Sequence, residues 1–180
     1  MNKYIEINAG KPQSGLVNVI IDTPQTSPHK YKFDEKLKLF RLRKVMSSGS
    51  VFPFNFGYIP STRGGDGDPL DVLVLMDAPA FVGCLVEVRL IGVIEAKQKE
   101  RNGRVDQNDR LLGIAQESKK DRDVKSINKL NQRLVEEIEH FFIAYNEIEG
   151  KEFQVIKRSG PQKAKAIVLK GIQDFKKGLK

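Results

Sequence analysis

Gly64-Gly65-Asp66-Gly67-Asp68-Pro69-Leu70-Asp71 runs directly into Val72-Leu73-Val74-Leu75. Gly, Asp and Pro at this density mark a turn, and the apolar run that follows reads as a short buried strand. Three carboxylates, Asp66, Asp68 and Asp71, therefore crowd the mouth of that strand. Like charges this close raise one another's pKa unless cations neutralise them, which suits a hard metal ion with oxygen ligands. A solvated Asp/Gly turn is the other reading of the same residues. A calcium EF-hand loop is a poor match, because Pro69 and Asp71 occupy the wrong offsets and a strand, not a helix, follows.

Outward from this segment, the first two thirds of the chain alternate short β-rich runs with Gly and Pro. Strands are predicted over 16–21, 37–42, 71–76, 85–94 and 111–115. Strands so spaced, without repeated strand–helix alternation, suggest a small barrel or sandwich, not a doubly wound sheet. The polar stretch 97–109 reads as a long hairpin loop. The period then changes. Leu130, Leu134, Ile138, Phe141, Phe142 and Tyr145 recur at spacings of three and four and predict one face of a helix. After a strand over 153–156, Pro161 suits the first turn of a second helix whose stripe is Ala164, Ile167, Val168, Ile172 and Phe175. Both stripes read as core.

The 180 residues, read as one domain over 1–180, are long enough to bury a core without disulfides or structural metals. A hydrophobic share of 39% with 30% charged residues excludes a disordered chain and a membrane profile. The net charge of +8 favours encounter with anions without choosing among nucleic acid, acidic membrane and small phosphorylated molecules. Its densest basic cluster, 170–180, reads as a solvated tail. The single cysteine, Cys84, sits in an apolar run and reads as a small buried hydrophobe. No signal-like leader or span-length apolar stretch is present in the sequence, so a cytoplasmic protein without a membrane partner is expected. Base-stacking aromatics are scarce, with no Trp and four Tyr, which counts against a nucleic-acid-binding OB module. His29 and His140 lack metal-ligand spacing to Cys84 or each other.

Asp66-Gly67-Asp68-Pro69-Leu70-Asp71, preceded by Pro53-Phe54-Asn55-Phe56-Gly57-Tyr58-Ile59-Pro60, resembles the soluble inorganic pyrophosphatase family of bacterial type. Val19-Ile20-Ile21-Asp22-Thr23-Pro24 and His29-Lys30-Tyr31 upstream, with His140-Phe141-Phe142 and Tyr145 downstream, extend the resemblance over most of the chain. It implies a mainly β fold, a five-stranded OB-like barrel with two helices from the C-terminal half packed on it. It implies Mg²⁺-dependent hydrolysis of pyrophosphate, with Asp66 and Asp71 as metal ligands and Asp68 helping to deprotonate the attacking water. It assigns phosphate contacts to Lys30, Lys44, Arg110 and Tyr145, and a homo-oligomer, hexamer or dimer, as the assembly.

Some positions differ from the family pattern. Asp22 stands for a glutamate, Phe52 and Phe56 for tyrosines, Lys32 for an acidic residue and Asn146 for a lysine. Lys44 and Arg110 exchange Arg for Lys and Lys for Arg, which alters the bidentate fork at each. Gln98 and Lys99 fall where an acidic pair is expected and Asn108 where an aspartate is expected, with Asp109 the candidate to take over as metal ligand and Asp106 the alternative. These changes reduce carboxylate near the metals, so weakened metal affinity with substrate binding largely kept is the expected phenotype. A noncatalytic protein binding a phosphate ligand on the same fold is the competing expectation.

Overall fold

A computed structural model describes residues 7–178. The strands are β1 (Gly10–Lys11), β2 (Leu16–Thr23), β3 (His29–Asp34), β4 (Leu39–Val45), β5 (Asn55–Tyr58), β6 (Asp71–Leu75), β7 (Leu85–Lys99), β8 (Val105–Gln107), β9 (Arg110–Ala115) and β10 (Glu152–Ser159). Helix α1 (Gln132–Ile148) precedes β10 and α2 (Pro161–Gly178) follows it, with Pro161 opening the first turn as expected.

Five strands pair in a ring, β2–β5–β6–β9–β7 and back to β2. Strand β2 joins the ring's ends by dividing its length: Leu16 to Ile20 pair with β7, and Ile20 to Thr23 pair with β5. The expected OB-like barrel is thus a ring of partial ladders, not a barrel closed along the full length of its strands. The two helices are those expected, except that Leu130 lies ahead of α1, closing a 3-10 turn over Ile127–Lys129. Where β2 pairs with β5, a Cβ at Gly57 would collide with the Ile20 carbonyl, so this close approach needs glycine.

The apolar run 72–75 is continuous because β6 is buried on both faces. Leu73 and Leu75 face a core shared with Val135, Ile138 and Phe142 of α1, while Val72 and Val74 face one shared with Ala164 and Val168 of α2. Strand β6 pairs antiparallel with β5 and parallel with β9, so Asp71 opens the strand next to Arg110, which precedes the Leu111 that faces Val72. Helix α1 adds Val135 and Asn146 to the buried face predicted from the periodicity.

Several predicted boundaries change. The stretch 97–109 is not a loop throughout: β7 continues to Lys99 and pairs with β8, leaving a turn over 100–104. The strand over 37–42 lies at Leu39–Val45 and pairs with β3, which is polar and was not predicted. Strand β5 was also missed, and β10 runs from Glu152, beyond the predicted 153–156. Cys84 is half-buried against the second core, not enclosed. Among the described residues no helix is long and apolar enough to cross a membrane.

Candidate functional site

The loop before β6 is held by its own backbone. Gly64 N donates to Asp68 O at 2.7 Å, and Gly67 N donates to Gly64 O at 3.2 Å. Gly67 lies at φ +90°, a left-handed turn position that glycine adopts without steric cost. Asp66 Oδ1 accepts from Asp68 N at 3.1 Å. Thr62 Oγ1 fastens the loop's end by accepting from Leu70 N. These contacts bring all three aspartates to one cavity of about 750 Å³, which Lys30, Lys32, Lys44, Tyr145 and Asp22 also line.

The carboxylates meet different partners. Asp71 Oδ2 accepts from Arg110 Nη1 at 2.8 Å, with the Arg110 side chain only 8% exposed. The guanidinium carbon lies 5.1 Å from the centroid of Phe142, 5.5 Å from Phe153 and 6.0 Å from Phe56, so aromatic rings enclose the arginine end of the pair while Asp71 faces the cavity. Lys32 Nζ reaches both oxygens of Asp68 at 3.1 Å. Burial raises the Asp66 carboxyl above the usual range, and the charges of Asp71 and Asp68 add to that rise. Burial likewise pushes Asp22 up to about 7, opposed by Lys30 and by a hydrogen bond from Thr23.

Among the cations, Lys30 Nζ sits over the rings of Phe52, Phe56 and Tyr145 at 5.8, 5.3 and 5.7 Å. Phe52 and Phe56 are buried among Phe141, Phe142 and Tyr145. Lys44 lies 4.6 Å from the Tyr145 centroid and ion-pairs with Glu149. Burial lowers the Lys44 pKa, and Lys30 and Lys151 lower it further.

The structure brings Lys30, Lys44, Tyr145, Asp66, Asp68 and Asp71 to one cavity, and sets Arg110 and Asp109 elsewhere. Arg110 is buried behind Asp71. Asp109 borders a second cavity of about 390 Å³ on the α2 side, where Asp66 and Asp71 also line the wall. One of its oxygens, Oδ1, accepts from Ala96 N at 3.1 Å and from Gln107 Nε2. Asp106 pairs with Arg104. Asn108, where an aspartate is expected, takes a hydrogen bond from Arg110 and gives one to Gln98, which stands at one position of the expected acidic pair. Sequence reading missed Glu149 and Lys151, which line the main cavity from the turn after α1. No local motif marks them.

An all-oxygen donor set suits a hard cation; the Asp66 carboxyl, raised first by burial and then by the charges of Asp71 and Asp68, would be eased by one. Among the described residues, however, no three His, Cys, Asp or Glu side chains converge closely enough to enclose an ion. Arg110 and Lys32 act as counter-ions at Asp71 and Asp68. The donors thus fit by their chemistry, with two of the three shared with side-chain cations.

Comparison with known proteins gives a consistent result. The family described as inorganic pyrophosphatase matches over residues 19–176. An inorganic pyrophosphatase of Synechocystis is 36% identical over 146 residues, 81% of this chain and 83% of that protein. That of Aquifex pyrophilus is 33% identical over 178 residues, 97% and 98% of the two chains. Among solved structures, the inorganic pyrophosphatase from Thermus thermophilus superimposes with a TM-score of 0.87 at 28% identity, covering 98% of this chain and 99% of its own.

Proposed function

This chain belongs to the inorganic pyrophosphatase family, and on that premise we propose that it hydrolyses inorganic pyrophosphate to orthophosphate in the 750 Å³ cavity. The observation that carries the reading is the meeting of Lys30, Lys44 and Tyr145 with Asp66, Asp68 and Asp71 in that one cavity. Lys30 and Lys44 neutralise and orient phosphate oxygens, and the Tyr145 hydroxyl donates to one of them. Asp68 takes the proton as water attacks one phosphorus; the bridging P–O bond breaks and orthophosphate leaves. Lys32, ion-paired with Asp68 in the resting site, gives way as the water arrives. Arg110 fixes Asp71 from behind, through Nη1, and so contributes by placing a carboxylate.

Asp66 and Asp71 would hold Mg²⁺, with Asp109 as a further donor from the α2 side; when bound, the ion neutralises phosphate charge and makes water more acidic. The reading includes a cytoplasmic homo-oligomer, hexamer or dimer, with mass by light scattering as its check. Phosphate release from pyrophosphate, measured with and without Mg²⁺, tests the activity; rates equal to buffer at saturating Mg²⁺ and Mn²⁺ would reject it.

A second reading is a noncatalytic phosphate-ligand protein on the same fold. It draws on the Lys32–Asp68 pair and on the neutral Gln98 and Asn108. Diphosphate binding without turnover would favour it.

A further inference from the structure

The β7–β8 hairpin does more than join two strands, because its turn is fastened to the chain just after α1. Arg101 Nε donates to Glu149 O at 2.6 Å, and Lys151 Nζ lies 3.0 Å from Glu100 Oε2 and 3.2 Å from Oε1. Glu149 and Lys151 both line the cavity that holds Lys30, Lys44 and Tyr145. Asn146, next to Tyr145, is 3% exposed and donates Nδ2 back to Phe142 O, so it offers the cavity no charge. The first cation after Tyr145 is therefore Lys151.

Glu100 is itself the end of a chain of hydrogen bonds. Arg110 donates to Asp71 and to Asn108; Asn108 Nδ2 donates to Gln98 Oε1; Gln98 Nε2 donates to Glu100 Oε1. Glu100 is thus held in position by a chain that starts at Asp71 while it binds Lys151. Burial is the first cause of the lowered Lys44 pKa, and the charges of Lys30 and Lys151 add to it, so the three ammonium groups lie near one another.

We propose that Lys151 is a further anion-binding residue of this cavity and that Glu100 competes with the bound phosphate for it. The proposal rests on the reading of the cavity as the pyrophosphate site. A phosphate oxygen entering beside Lys30 and Lys44 draws Lys151 from Glu100, so the hairpin sets how much of the lysine's charge is available to substrate. The prediction has opposite signs at the two ends of one ion pair, which separates it from simple structural damage.

The test is calorimetric titration of the full chain with methylenediphosphonate, a diphosphate that is not hydrolysed, at fixed Mg²⁺, with KM and kcat for pyrophosphate alongside. Lys151→Gln is expected to weaken binding about 5-fold and to raise KM with little change in kcat, while Lys151→Arg stays within about 2-fold, the range of a partly screened ion pair. Glu100→Gln is expected to tighten binding by about 2- to 5-fold, and the double variant is expected to match Lys151→Gln alone. If Lys30→Gln weakens binding and Lys151→Gln does not, the inference falls and the pyrophosphate site stands. If Glu100→Gln weakens binding as Lys151→Gln does, Glu100 is a mere support and the competition is overturned. If wild type takes up no diphosphonate, the site and the inference fall together.

Discussion

Lys32 Nζ lies 3.1 Å from both carboxylate oxygens of Asp68, so the proposed proton acceptor is ion-paired in the resting site. Both side chains are largely exposed, 59% and 62%, which puts their interaction at the weak, salt-screened end of the range. The ammonium also stands beside the carboxylates proposed to hold Mg²⁺ and opposes a divalent cation there. Lys32→Glu is therefore expected to lower the Mg²⁺ concentration for half-maximal activity, by a factor of about 2 to 5 given that exposure. Asp109→Asn is expected to raise it. Mg²⁺ titration of wild type and both variants at fixed pyrophosphate checks both; three superimposable curves would detach these side chains from the metal.

The Arg110–Asp71 pair is more enclosed, with the Arg110 side chain 8% exposed and that of Asp71 30%. Removing one partner of a buried pair leaves an uncompensated charge, at a cost of about 3–5 kcal/mol. Arg110 Nε already lacks a partner among the described residues, and the aromatic shell supplies no acceptor. Asp71→Asn is therefore expected to remove most activity and also to lower stability by about 3 kcal/mol. Urea denaturation reads the second effect independently of the first; unchanged stability would show that the guanidinium finds another carboxylate.

Gly57 provides a test of the fold that is separate from the site. Its missing Cβ leaves room for the Ile20 carbonyl where β2 pairs with β5, and backbone held in a ladder has little freedom to move aside. Gly57→Ala is expected to destabilise by about 3 kcal/mol, the upper end of overpacking costs. A midpoint of chemical unfolding within error of wild type would show that the ring opens there without strain.

The sequence pattern exposed some elements and hid others for physical reasons. Strand β6 was readable because both of its faces are buried, which turns alternation into a continuous apolar run. Strand β3 was hidden because His29-Lys30-Tyr31-Lys32 is polar and only partly buried, forming a two-stranded ladder with β4. Strand β8 pairs through backbone groups while its side chains, Val105, Asp106 and Gln107, give no strand period. In the site, Asp66, Asp68 and Asp71 were legible because one turn carries all three. Lys30 and Tyr145 were legible only through the family resemblance. Glu100, Glu149 and Lys151 were not, because the pairing of β7 with β10 brings together residues distant in sequence, such as Lys99 and Glu152.

Asp22 offers a pH signature that depends on its burial. Its carboxyl is pushed from 3.8 up to about 7 in the folded chain, chiefly by desolvation, with Asp71 adding to the rise and Lys30 opposing it. Below about pH 4 the carboxyl is protonated in both states and contributes no slope. Between about 4 and 7 the unfolded chain has released this proton while the folded chain keeps it, so the folded state binds more protons and stability falls as pH rises. Above 7 both states are ionised and the contribution levels off at its least favourable value. At about 1.4 kcal/mol per pKa unit, the full change amounts to a few kcal/mol. Asp22→Asn, which keeps the shape and removes the titration, is expected to flatten the stability profile between pH 4 and 7 and to leave the variant more stable than wild type at pH 8. Thermal melts of both proteins across pH 4 to 8, in metal-free buffer, make the comparison. Parallel profiles would mean that Asp22 is ionised throughout, with Lys30 and Thr23 outweighing its burial.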